Sequence, residues 1–97
     1  MARTLTVALA QYAPLTGADP VAALHAQAAE MLLLTTTLDL IVFPEIHLFG
    51  ACDNAEDSND WLRAAAEPLD GPRIRALAAV AAELGVSLIP GSVAEMV

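Results

Sequence analysis

Apolar residues cluster along this chain. Three short runs, at residues 4–10, 38–43 and 86–89, are separated by stretches in which apolar positions recur at helical spacing. The first run, TLTVALA, is compact and partly β-branched, which predicts a buried strand. The second, LDLIVF, is nearly continuous instead of alternating, the pattern of a parallel strand covered on both faces, and Pro44 ends it. The third, VSLI, runs into a Pro90-Gly91 turn.

The intervening segments carry helix signals. Pro14 and Gly17 mark a loop, after which Asp19 can cap free amide groups and Pro20 suits the first helical position. Val21, Leu24, Ala28, Met31 and Leu32 then share one apolar face. Threonines 35–37 oppose further helix, because β-branched side chains lose rotamer freedom there. Past the second strand, residues 53–60 read as a polar, acidic loop and residues 61–67 as a short helix stopped by Pro68. Asp70-Gly71-Pro72 opens a longer helix with Ile74, Leu77, Ala78, Ala81 and Leu84 on its core face, and Gly85 sits where a left-handed cap belongs. The neighbouring alanines 78, 79, 81 and 82 suit close helix or subunit packing and, more commonly, plain core.

Strands alternating with helices predict an α/β fold with a parallel sheet and right-handed crossovers. No repeat, low-complexity segment or linker divides residues 1–97, so they read as one domain. The absence of a helix after the third strand makes that domain look partial, cut before its fold closes. A chain of this size buries only about 60–65% of its unfolded surface. Much of its 57% hydrophobic content is alanine, so further chain or a partner subunit is expected to complete the core.

Charge narrows the function classes. Twelve acids oppose four arginines, with no lysine, for a net charge of −8. Such a surface repels phosphate backbones and anionic headgroups, so neither nucleic acid nor membrane is expected as a partner. The apolar run near the amino terminus falls short of the roughly 7–15 residues of a signal peptide's hydrophobic region. With Cys52 as the single cysteine no internal disulfide forms, and a reducing, cytoplasmic location is expected.

The candidate chemistry centres on Glu45. Ligands of open α/β sheets bind beyond the carboxyl ends of the strands, and Glu45 lies just past such an end. An apolar setting beside Phe43 would disfavour its charged form and suit it to general-base work; capping a loop or pairing with an arginine is the structural alternative. His47, two residues on, is placed to line a pocket or orient that carboxylate, although a loop histidine bonded to backbone or water is the commoner arrangement. His25, beside Leu24, is expected at the surface or helix boundary. Cys52 reads as a small apolar residue, and with His47 it offers too few ligands for zinc. The acidic loop lacks the calcium-loop pattern, and no glycine cluster cradles phosphate, which argues against a nucleotide-binding domain.

The stretch LDLIVFPEIHLFG resembles the first catalytic motif of the nitrilase superfamily, the carbon–nitrogen hydrolases. VALAQYAP is similar to that family's opening strand and loop, and AEPLDGPRIRALAAVAAELGVSLIPGSVAE to its next helix and strand, so the likeness spans about positions 4–95. It implies the amino-terminal part of an α-β-β-α sandwich, assembled as homo-oligomers, that hydrolyses a non-peptide C–N bond of a small amide, less readily a nitrile, without cofactor or metal. It also implies a Glu-Lys-Cys triad in which Glu45 is the general base. The family's lysine and cysteine belong to later motifs, so these 97 residues alone are expected to be inactive. Threonines 35–37 stand where the family often has glycine, and Ala51 replaces a frequent aromatic next to the pocket. The alternative is a non-catalytic short subunit that docks on a full-length relative through its sheet edge.

Overall fold

The computed structural model describes residues 3–35, 37–49 and 58–96. Strand β1 (Val7–Leu9) leads through helix α1 (Pro20–Leu34) to β2 (Leu40–Val42). A 3-10 turn (His47–Phe49), α2 (Ser58–Ala65) and α3 (Pro72–Leu84) precede β3 (Ser87–Ile89). All strands are parallel in the order β1-β2-β3, with Leu9, Val42 and Ile89 in register. The expected α/β class is therefore present. The two crossovers step the same way along the sheet, and their helices α1 and α3 pack side by side.

Local signals set the helix ends. Asp19 accepts a hydrogen bond from the Ala22 amide at 3.1 Å, with Pro20 in the first turn. Gly85 closes α3 in the left-handed conformation, φ 66°, its N–H donating to the Ala81 carbonyl. Leu24 and Ala28 of α1, Ile41 of β2, Phe43 just past it, Leu77 of α3 and Val86 form the core between helices and sheet.

Four expectations need correction. The opposite sheet face is open along its edges: Val7, Leu9 and Ile89 are 42%, 73% and 49% exposed, while Leu40 and Val42 of the central strand are half-buried. For the second strand, where cover on both faces was expected, the outer face is thus partly covered. On α3, Val80 is buried while Ala78, Ala79 and Ala82 are exposed. Alanine fits either environment, so an alanine-rich helix hides which way it faces. Helix α2 begins at Ser58, inside the expected acidic loop, and ends before Glu67. Glu67 instead forms a parallel bridge with Glu95, as expected of a residue before proline, which avoids helical geometry. Residues 53–57 and Cys52 lie outside the described residues.

Candidate active site at the carboxyl end of the sheet

The carboxyl ends of β2 and β3 meet in one place. Pro44 and Glu45 follow β2; Pro90, Gly91 and Ser92 follow β3; and the Phe43 amide donates to the Ile89 carbonyl at 2.8 Å. Because neighbouring strands are parallel, residues just past each terminus become neighbours although they are 47 positions apart. Ser92 Oγ donates to Glu45 Oε1 at 3.3 Å. The Glu45 side chain is exposed, not set in the apolar surroundings expected from Phe43, whose ring turns into the core instead.

The turn carrying Glu45 is tightly built. Gly91 has φ 91°, and a Cβ there would stand 2.2 Å from the Pro44 carbonyl oxygen, so only glycine fits. Ile46 has φ 55°, an outlier for a β-branched residue that costs of order 1–3 kcal/mol and persists only where its surroundings impose it. Phe49 N–H donates back to the Ile46 carbonyl at 3.2 Å, and Leu15 N–H donates to the His47 carbonyl at 2.8 Å.

His47 is fully buried. Its Nε2 lies 2.8 Å from Gln27 Oε1 of α1, its ring stacks on Phe43 with centroids 5.1 Å apart, and Tyr12 approaches at 6.3 Å. With Gln27 Oε1 as acceptor, the hydrogen-bond pattern assigns the proton to Nε2, and Nδ1 is a buried acceptor without a hydrogen bond among the described residues. Burial pushes the imidazole's pKa below its ordinary value, so His47 is held neutral. Among the described residues its imidazole bonds to the Gln27 side chain and packs in the core, in place of the loop setting expected as the commoner arrangement.

Beside Glu45, Ile46, Phe49, Leu62, Ser92, Val93 and Ala94 line a mostly apolar cavity of about 170 Å³. Of the lining residues, Phe49 is held by Arg73, whose guanidinium lies 4.6 Å from the ring centroid and 3.5 Å from Glu67. His25, half-buried on α1, has Nε2 3.4 Å from Glu83 of α3, a tie between the two helices away from this site. Among the described residues, no three His, Cys, Asp or Glu side chains converge as a metal centre would require, and no helix is long and apolar enough to cross a membrane.

Four residues of this region were not singled out by their sequence: Ser92, Ile46, Gln27 and Arg73. Gln27 had a readable signal, since it interrupts the apolar stripe of Leu24, Ala28 and Met31 at helical spacing. Ser92 follows the turn after β3, and only the pairing of β3 beside β2 gives it meaning.

Among curated proteins and solved structures, none matches the chain. The family profile for carbon–nitrogen hydrolases, in contrast, matches residues 6–96, from the strand before the Tyr12 loop to the segment past Ser92. A match of that extent, on a parallel sheet whose strand ends gather Glu45 and Ser92, establishes that the chain belongs to the carbon–nitrogen hydrolase family.

Proposed function

We propose that this segment supplies the general base, Glu45, of a Glu-Lys-Cys hydrolase acting on a small amide. The observation that carries the reading is the position of Glu45 just beyond the carboxyl end of the central strand, bonded to Ser92 from the next strand end, within a hydrolase-family domain. In the reaction the carboxylate takes the thiol proton, and the thiolate attacks the amide carbon. The amine then leaves with a proton, and water hydrolyses the thioester. Base assistance matters because a free thiol with pKa near ~8.5 is only a few per cent ionised at neutral pH. A lysine would stabilise the developing oxyanion.

These 97 residues contain no lysine, so the ammonium group must come from outside them, and on their own they should not turn over an amide. Exposure of Glu45 likewise means that whatever excludes water from the site must be laid over it. In a protein joining this segment to the lysine and cysteine motifs, Glu45→Gln should abolish amide hydrolysis while Cys52→Ala leaves it largely intact. The reverse pattern refutes the assignment.

A second reading, a non-catalytic subunit docked on a longer relative or on its own copies, draws on the uncovered apolar face around Val7, Leu9 and Ile89. Gel filtration of the isolated chain tests it: a monodisperse, cooperatively melting oligomer supports it, and aggregation or a molten state opposes it.

A further inference from the structure

Among the described residues, Ile46 is the one non-glycine position with positive φ. A β-branched residue stays in that region only where its neighbours over-determine the backbone. The neighbours that do so converge on the next residue. The His47 carbonyl is held by the Leu15 amide, and its imidazole by Gln27 on one edge and the Phe43 ring on its face. On the other side of the turn, the Pro44 carbonyl and the His47 amide occupy the space that a Cβ at Gly91 would take. With His47 fixed to the helix layer and Phe43 fixed to the sheet, the intervening Pro44, Glu45 and Ile46 must span the gap. The left-handed Ile46 is the conformation in which they do so.

We propose that His47 is a positioning residue: its buried hydrogen bond to Gln27 and its stack on Phe43 hold Ile46 left-handed and thereby aim Glu45 across the strand ends at Ser92. The inference rests on the reading of Glu45 as a base, but its geometry can be tested without turnover. A histidine that merely filled the core would leave a different signature. Any ring of similar volume would serve, and Gln27 would be dispensable.

The test uses NMR on the full 97-residue chain. A left-handed residue brings its own amide and α protons close together, so its intraresidue cross-peak is several-fold stronger than in a helix or strand. The unaltered chain should show this strong cross-peak at Ile46, together with contacts between Glu45 and Ser92. In Gln27→Leu, which removes the acceptor from α1, and in His47→Phe, which keeps ring and volume but not the bond, both signals should fall several-fold. His47→Gln, which keeps an N–H donor at similar reach, should restore a large part of them. An unaltered chain without the strong Ile46 cross-peak overturns the proposal. So does a folded Gln27→Leu or His47→Phe chain in which the signal is undiminished. If His47→Phe fails to fold, Gln27→Leu decides, since it alters a helix position and leaves the turn's own sequence intact. Failure of the hydrolase reading looks different: Glu45→Gln would leave turnover intact in a triad-containing protein while the Ile46 signal and its dependence on Gln27 persisted.

Discussion

Two glycines with left-handed backbones allow a controlled comparison. Gly85 has φ 66° with nothing within 4 Å of a would-be Cβ, whereas Gly91 has φ 91° with the Pro44 carbonyl oxygen 2.2 Å away. Replacing either by alanine incurs the left-handed penalty of about 1–2 kcal/mol, partly offset by about 0.4–1 kcal/mol from a less flexible unfolded chain. The unfolded-chain offset is common to both sites, and the backbone penalty at φ 91°, outside the usual left-handed range, is at least that at φ 66°. Gly91→Ala additionally drives a methyl group into a backbone atom that cannot rotate aside, and overpacking of that kind costs about 1–3 kcal/mol. Gly91→Ala should therefore be about 1–3 kcal/mol more destabilising than Gly85→Ala, a sizeable part of the roughly 5–15 kcal/mol that holds a domain together. Urea unfolding of the three chains, with m constrained to be equal, measures the difference directly. Chemical shifts of residues 44–47 should move in Gly91→Ala and stay fixed in Gly85→Ala. Equal midpoints for the two variants would refute the packing argument and show that the turn yields without cost.

Other outcomes follow from the same geometry. Burial lowers the folded-state pKa of His47 below 6.5, so the unfolded chain binds more protons once pH falls beneath that value. The contribution is complete above pH 6.5 and is lost as pH drops toward the folded pKa, with a slope of at most about 1.4 kcal/mol per pH unit. Urea midpoints measured across that window should show the slope in the unaltered chain and lose it in His47→Phe; a slope that persists there assigns the effect to another group. At the start of α1, Asp19→Ala removes the 3.1 Å cap to Ala22 and should cost about 1 kcal/mol, with Asp19→Ser recovering much of it. Equal stability of Asp19→Ala and the unaltered chain would mean that the exposed cap contributes nothing.

The candidate site was only partly legible before the fold was known. Glu45 stood out because proline and a carboxylate at the end of an apolar run are both local features. Its companions were obscure for a physical reason: each acquires its role from a residue far away in the chain. Ser92 matters through a strand pairing, Gln27 through a histidine 20 positions later, and Arg73 through the Phe49 ring and Glu67. His47 was weighed as lining a pocket, orienting the Glu45 carboxylate or bonding to backbone or water in a loop; its full burial was not legible, because a polar side chain is ordinarily solvated unless a partner on another element satisfies it.

By itself the sequence determined whatever depends on near neighbours. The strands fall within their apolar runs, α1 starts at an Asp-Pro pair, α3 ends at a glycine, and the alternation of elements implies parallel pairing. Those features arise from steric limits and hydrogen bonds within a few residues. Tertiary structure alone decided that β2 is central and that Val80, not Ala78, faces inward. It also left Val7, Leu9 and Ile89 exposed on one sheet face and locked the Glu45 turn onto a buried histidine. Such outcomes depend on which distant surfaces meet. A small apolar residue tolerates either side of an interface, and a polar one can be buried wherever a partner satisfies its hydrogen bonds.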